Sequence, residues 1–155
     1  MQQSTTPTAN CPNSFTFTVL GKPAPQGSKR HVGKGVMVES SKRCKPWRQD
    51  VRHTAIDLLP NGWYARMGDA MLLSVTFVFA RPKNHFRTNG ELKPSAPKHC
   101  TGRIGDVSKL IRAVEDAMTG IVYNDDAQII SLIATRRYAT ATEQPCAIIT
   151  VTAIS

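Results

Sequence analysis

The carboxylates between residues 106 and 126 have the type and spacing best suited to chemistry. Asp106 opens an amphipathic segment, and the adjacent Asp125 and Asp126 lie just past its end. Neighbouring carboxylates repel each other, so one of them is destabilised unless a cation compensates the charge. A divalent ion shared between Asp106 and Asp126 would compensate it, and Mg²⁺ prefers such oxygen ligands. The chemistry indicated is metal-assisted phosphodiester hydrolysis, with the phosphate at a helix N-terminus.

The same segment carries basic side chains on its polar face. Lys109 and Arg112 can neutralise charge that develops on phosphate oxygens. Glu115 and Asp116 lie about two turns further along, and we expect Arg112 to pair with Asp116 at the i,i+4 spacing.

Each acidic position also has a purely structural interpretation. Asp106 directly precedes a helical pattern, where an Asp side chain commonly caps the helix by accepting a backbone amide hydrogen bond. The Tyr-Asn-Asp-Asp sequence that contains Asp125 and Asp126 is typical of a turn. Structural and catalytic roles are compatible at these positions, and the sequence leaves both open.

The overall charge points to a polyanionic partner. The 155 residues include 20 Lys and Arg against 11 Asp and Glu, for a net charge of +9. Nucleic acid is the leading partner for such a chain, although a basic protein without a polyanion partner remains an alternative. The four cysteines are far apart and read as reduced thiols of a cytoplasmic protein. No apolar run is long enough to cross a membrane, so we expect no membrane partner.

Apolar periodicity predicts an α+β domain, in which two main helices pack on a mixed sheet. Residues 1–13 are polar and aperiodic and are predicted to form a disordered arm, followed by a single domain over 14–155. The last two strands are expected to form an antiparallel hairpin. Strands are predicted at 15–20, 70–80, 129–138 and 146–153, and helices at 46–59 and 107–118.

Two long segments without a periodic apolar face are predicted to be loops that hold the phosphates of a nucleic-acid backbone. They cover residues 21–35 and 81–105, and a short strand or hairpin arm is expected at 36–40. A solvated connector and a disordered segment without function are the respective alternatives. The basic residues that we assign to nucleic-acid binding, and to DNA binding through the resemblance described next, are Lys22, Lys29, Arg30, Lys34, Lys83, Arg87, Lys93, Lys98 and Arg103.

Three stretches of the chain resemble one family. The segment GDVSKLIRAVEDAMTGIVYNDDAQI, the earlier VLGKPAPQGSKR and the stretch KPWRQDVRHTA are similar to the RusA-type Holliday junction resolvases of bacteria and their phages. The resemblance implies a homodimeric endodeoxyribonuclease of the bacterial cytoplasm, encoded by the cell, a phage or a prophage. Such an enzyme uses Mg²⁺, with Mn²⁺ as a substitute, and cuts four-way DNA junctions by paired symmetric nicks.

The resemblance also implies roles for the acidic residues. Asp106 matches the first catalytic Asp of the family and Asp126 matches the last one, so both are expected to hold the metal. Asp125 is the acidic neighbour of Asp126.

Two positions depart from the family pattern. Ser108 stands where the family has a second Asp, and Arg112 stands where it has a catalytic Lys. Serine removes a negative charge from the metal site, and arginine is a poor general acid because it keeps its proton. Lys109, one turn away, is a substitute amine. These departures leave a second function open, a branched-DNA-binding protein of the same fold with weakened or lost catalysis. A basic RNA-binding protein with an incidental acidic turn is a third.

Overall fold

The centre of the molecule is a four-stranded sheet with two helices on one face. The computed structural model describes residues 11–27, 29–39 and 41–155, with the backbone alone at 29, 30, 38 and 39. The strands are β1 Ser14–Leu20, β2 Lys29–His31, β3 Met37–Glu39, β4 Ala70–Phe79, β5 Ile129–Tyr138 and β6 Cys146–Ile154. The helices are α1 Cys44–Leu58 and α2 Val107–Met118. Short 3-10 turns cover Trp63–Arg66, Lys83–His85 and Asp126–Gln128.

The sheet has the order β1-β6-β4-β5, with β4 parallel to β5 and the other pairs antiparallel. The predicted hairpin of the last two strands is therefore wrong, because β4 lies between β5 and β6. The reason is hydrophobic: β4 is the most apolar strand, and the central position covers both of its edges and one face. Residues 139–145 connect β5 to β6 past the end of β4. A bidentate ion pair between Arg137 and Glu143 stabilises this connection, with N···O distances of 2.6 and 2.8 Å.

Alternation along the strands separates a core face from an open face. Met71, Leu73, Val75 and Phe77 of β4 point to the helices and are buried together with the apolar stripe of α2. The opposite face carries hydroxyl side chains that bond in pairs across strands, such as Thr16 with Thr150 at 2.8 Å. The mixed sheet with two packed helices confirms the predicted α+β class.

Most predicted element boundaries hold, with one exception in the first basic loop. The α2 helix spans the predicted residues 107–118, and Gly120 closes it with a left-handed φ of 83°. Residues 29–31, predicted as loop, instead pair as β2 with β3, so the expected hairpin arm recruits part of that loop. The first ten residues of the expected N-terminal arm lie outside the described residues.

In the part of the chain that the structure describes, no helix is long and apolar enough to span a membrane. The four cysteines form no disulfide with one another in the structure.

Candidate active site

Asp106 stands at the N-terminal end of α2, where the sequence places it, but its side chain does not cap the helix. Its backbone carbonyl accepts the first helical hydrogen bonds, from Lys109 N at 3.0 Å and Leu110 N at 2.9 Å. The exposed carboxylate makes no capping hydrogen bond. The predicted capping bond is therefore absent, and the carboxylate is available to a ligand beside backbone amides that favour anions.

Three chain segments meet at this helix end and hold it in place. Gly105 turns the chain with φ 112°, and a Cβ at this position would lie 2.7 Å from Cγ of Pro25. The backbone amide of Gln26 donates to the backbone carbonyl of Lys109 at 3.0 Å. Arg136, near the end of β5, donates to the carbonyl of Gly105 at 2.6 Å. The position of Asp106 thus depends on the first basic loop and on β5.

Ser108, Lys109 and Arg112 lie on the exposed side of α2, on the first turns after Asp106. The N-terminal end of α2 therefore presents one carboxylate, one hydroxyl and two cations to solvent. This arrangement suits an anion that approaches the helix end.

Asp125 and Asp126 lie in a 3-10 turn that is built by side-chain hydrogen bonds. Asp125 Oδ1 accepts from the amide of Ala127 at 2.8 Å, and Gln128 Oε1 accepts from the amide of Asp125 at 2.8 Å. The side-chain amide nitrogen of Gln128, Nε2, donates to the backbone carbonyls of Met67 at 2.6 Å and Asp69 at 2.8 Å. Asp125 is thus a capping residue as well as a member of the acidic pair.

The two carboxyl groups of the pair share a hydrogen bond, which moves their pKa values in opposite directions. The amide of Ala127 and then the bond to Asp126 lower the pKa of Asp125. The bond to Asp125 raises the pKa of Asp126, and desolvation and the negative charges of Asp125 and Asp116 act in the same direction. Asp126 therefore holds its proton more readily than Asp125 does, as expected for adjacent carboxyl groups that interact.

The acidic neighbours of Asp126 come from the C-terminal half of α2. Burial raises the pKa of Glu115, and the charges of Asp126 and Asp116 raise it further. The Tyr123 hydroxyl donates to the carbonyl of Glu115 at 2.9 Å, which ties this half of the helix to the turn. The predicted Arg112–Asp116 pair is not found, because Asp116 faces Arg48 of α1 at 3.8 Å.

Within one chain, Asp106 and Asp126 lie at opposite ends of β5. The Asp126 turn leads into Ile129, whereas Arg136 reaches the carbonyl of Gly105. Ile129 and Arg136 are seven strand positions apart, which is about 23 Å. One ion therefore cannot bind both carboxylates of one chain. Among the residues described, no group of three or more His, Cys, Asp or Glu side chains could hold a metal ion.

The basic residues assigned to DNA binding lie on two neighbouring features. Lys34 is exposed at the tip of the β2–β3 hairpin and Lys22 is exposed before it, whereas the side chains of Lys29 and Arg30 are outside what is described. In the second loop Arg87 pairs with Glu91 at 3.9 Å. Lys93 is half-buried, and the exposed members are Lys83, Arg87, Lys98 and Arg103.

The second loop is folded back against the end of β5. The guanidinium of Arg81 lies 4.5 Å from the centre of the Tyr138 ring and donates to the carbonyl of Pro97 at 2.7 Å. His85 packs edge-on against the same ring. Phe86 and Leu92 form an isolated antiparallel β-bridge, which folds the residues between them into a small turn. The loop thus presents its cations from a defined surface.

Sequence reasoning missed Arg136 and Gln128, although both position the acidic residues. Arg136 lies near the end of a strand, beside Arg137, where basic side chains are typical of a solvent-facing position. Gln128 follows the Asp pair at the N3 position of a capping box, and a polar residue three positions after an Asp is the signal that could have identified it.

Comparison with known proteins identifies the family of the chain. A family model described as Endodeoxyribonuclease RusA matches residues 21–152, a region that includes both loops, α2 and the acidic turn. No curated protein matches the chain. Nucleases of the RusA family depend on a metal ion and act on branched DNA. The chain belongs to the RusA family of endodeoxyribonucleases, enzymes that cut Holliday junctions.

Proposed function

We propose that this endonuclease resolves four-way junctions by paired symmetric nicks, that it acts as a homodimer, and that Mg²⁺ is its metal, with Mn²⁺ as a substitute. The observation that carries the proposal is the exposed Asp106 carboxylate, which makes no capping bond at a helix end that favours phosphate. When bound, the ion would polarise the phosphate and lower the pKa of a bound water. We place the reaction in the bacterial cytoplasm, for a cellular, phage or prophage enzyme.

The roles of the side chains follow from their chemistry. Asp106 and Asp126 are the metal ligands, and Asp125 supports Asp126 through their shared hydrogen bond. Ser108 offers a neutral oxygen beside Asp106, which binds Mg²⁺ more weakly than a carboxylate does. The donors of a single chain do not complete a metal site, because Asp126 lies at the far end of β5.

Cations near Asp106 have a separate task. Lys109 and Arg112 follow it on the exposed side of α2 and can stabilise negative charge on the phosphate oxygens. Arginine is a poor general acid, so we assign the role of proton donor to Lys109.

The two basic loops hold the DNA backbone. Phosphate contacts supply affinity and make it strongly dependent on salt, while the shape of the junction supplies selectivity. We assign this contact to Lys22, Lys29, Arg30, Lys34, Lys83, Arg87, Lys93, Lys98 and Arg103.

A second function is favoured by Ser108 and Arg112. Together they remove one metal-binding carboxylate and one amine that the family pattern contains, so junction binding would persist with weakened cleavage. The RNA-binding alternative has no comparable support, because the family match indicates a DNA substrate.

Cleavage of a synthetic four-way junction with Mg²⁺ or Mn²⁺ tests the proposal. Wild type should nick the junction, and Asp106→Asn should lose nicking by about 100-fold or more while it still binds. Asp57→Asn, the same substitution at an exposed position of α1, is the matched control and should cleave as wild type does. Equal cleavage by wild type and Asp106→Asn would refute the assigned site. Binding by both without cleavage would instead establish the binding-only function.

Ser108→Asp separates an impaired enzyme from an intact one. If the missing carboxylate limits metal affinity, the variant should reach half-maximal cleavage at a several-fold lower Mg²⁺ concentration. An unchanged Mg²⁺ dependence would show that Ser108 does not limit the site.

A further inference from the structure

An apolar cavity of about 400 Å³ lies where the two basic loops meet the end of the sheet. Its walls come from the end of β4, from the second basic loop, and from the end of β5 with the connection that follows it. Clefts of about 300 to 1,000 Å³ commonly bind small organic groups. The apolar residues of the lining are Phe79, Ala80, Pro82, Ile104, Tyr138 and Pro145.

Tyr138 gives the apolar cavity an aromatic wall that is already held in place. The guanidinium of Arg81 lies 4.5 Å from the centre of its ring, and His85 packs edge-on against it. The hydroxyl of Tyr138 and the thiol of Cys100 share a hydrogen bond. A fixed aromatic side chain of this kind offers a stacking surface to any nucleobase, because every base has a flat π-face.

A second cavity, of about 300 Å³, adjoins the first and carries the cations. The two cavities share Lys22, Arg103 and Ile104 in their linings, and this basic cavity adds Arg43. All three cations are exposed. Among the residues that the structure describes, none of the three forms an ion pair with a carboxylate. Their charge is therefore available to an anion, and arginine suits the oxygens of a phosphate.

The basic cavity reaches the proposed catalytic carboxylate. Gly105 is part of its lining and directly precedes Asp106 at the start of α2. Arg43 directly precedes Cys44, the first residue of α1. The positive ends of two helix dipoles thus lie beside the same cavity as the three cations. A phosphate bound there would lie next to Asp106.

The two cavities together match the two halves of a nucleotide, a flat base and a phosphate. A base inside a duplex cannot enter such a cavity, because it is paired and stacked, and a protein must first move it out of the stack. The free energy that this requires is lowest where stacking or pairing is already disturbed. At the exchange point of a branched DNA the strands change partners, so a base is moved out most easily there.

We propose that the apolar cavity holds one nucleobase that leaves the stack at the exchange point of a junction, and that Lys22, Arg43 and Arg103 bind its phosphate beside Asp106. This inference rests on the proposed function, since it takes branched DNA as the substrate. It adds Arg43 to the phosphate contacts and gives the cavity a role in substrate choice. A continuous duplex holds its bases too firmly to place a phosphate in this position.

Binding to mismatched junctions tests the proposal without any cleavage step. Synthetic junctions with one mismatch at successive positions on either side of the exchange point are titrated with wild type in EDTA. A mismatch lowers the free energy needed to move a base out, so one position and its symmetry mate should bind about 10-fold more tightly than the fully paired junction. Equal affinity for all the junctions would overturn the proposal.

Filling the cavity separates this effect from simple flexibility of the mismatched DNA. Ala80 lines the apolar cavity at an exposed position, so Ala80→Phe should occupy the space of the base with an unchanged circular dichroism spectrum. This variant should bind paired and mismatched junctions equally. Ala141→Phe, at an exposed position that lines neither cavity, is the matched control and should keep the preference. A preference that survives Ala80→Phe, or is lost in both variants, would refute a base in this cavity.

The salt dependence of binding tests the phosphate half. Arg43→Gln should reduce the slope of log affinity against log salt concentration by about 1, the effect of one lost phosphate contact. Arg52→Gln, at an exposed position of α1 more than two turns away, should leave the slope unchanged. Equal slopes for the two variants would remove Arg43 from the site.

The outcomes distinguish this inference from the proposed function. A wild type that prefers one mismatched junction but cuts none with Mg²⁺ or Mn²⁺ would support the base cavity and refute the nuclease activity. A wild type that cuts junctions but shows no mismatch preference would support the nuclease activity and overturn the base cavity.

Discussion

Replacing Gly105 by alanine should destabilise the protein more than the same change at other glycines. The backbone at Gly105 has φ 112°, which an L-residue adopts at a cost of about 1 to 3 kcal/mol. The new Cβ would also lie 2.7 and 2.8 Å from the Cγ and Cβ of Pro25, whose ring cannot rotate away. Overpacking of this kind costs typically about 1 to 3 kcal/mol.

The two terms together predict a loss of about 2 to 6 kcal/mol, a large part of the about 5 to 15 kcal/mol that stabilises a typical domain. Two other glycines separate the backbone term from the packing term. Gly90 has φ 86° and no atom within 4 Å of a new Cβ, so Gly90→Ala should lower the free energy of unfolding by about 1 to 2 kcal/mol from the backbone alone. Gly102 has no contact closer than 3.8 Å and no positive φ, so its change should stay within about 0.5 kcal/mol.

Urea unfolding of the three alanine variants measures these differences. A Gly105→Ala loss no larger than that of Gly90→Ala would refute the packing argument against Pro25. Because Asp106 follows directly, Gly105→Ala should also reduce junction cleavage by about 10-fold or more under conditions where it is still folded.

Three further outcomes are expected. Gln128→Glu removes both side-chain amide donors to backbone carbonyls and should lower the free energy of unfolding in urea by about 1 to 3 kcal/mol. Gln144→Glu, at an exposed position, should lower it little, and equal losses would contradict the argument. The Arg137 guanidinium lowers the pKa of Glu143 to about 2, so the pair stabilises the fold above the ordinary glutamate pKa and loses this effect as pH falls through about 2. The difference in melting temperature between wild type and Glu143→Gln should therefore be constant above about pH 5 and shrink towards pH 2; a difference independent of pH would count against the pair. Asp106→Ala removes a proposed metal ligand and should abolish cleavage. Because the side chain makes no capping bond, the free energy of unfolding should change by less than about 0.5 kcal/mol. A loss near 1 kcal/mol would show that the side chain does cap the helix.

Local patterns predicted the elements well where one residue period dominates. The apolar stripe of α2 and the glycine after it defined that helix, and the alternation in β1 defined that strand. Strand partners were not accessible in this way, because pairing depends on how all strands compete for the central position. The hairpin predicted for β5 and β6 failed for that reason.

The candidate site was predictable in its residues and not in its geometry. Residue type and spacing identified Asp106 and the Asp125–Asp126 pair, since scarce acids in a basic chain stand out. Their separation was hidden because α2 runs opposite to β5, a long-range relation set by Arg136 and Gly105. The capping role of Gln128 was readable from its spacing to Asp125, but its two side-chain bonds to the carbonyls of Met67 and Asp69 were not, because they depend on long-range packing.

Alkylation of the buried cysteines would report which parts of the protein open locally. Cys44 lies at the start of α1, Cys100 in the second basic loop and Cys146 at the start of β6, and all three are buried. Burial raises the pKa of Cys100 and of Cys146, so each thiol resists alkylation until its segment exposes it. Cys11 is only partly buried, so we expect it to react first, in the native state. The order in which mass spectrometry detects labelled thiols would rank the local stabilities of helix, loop and sheet without any substitution.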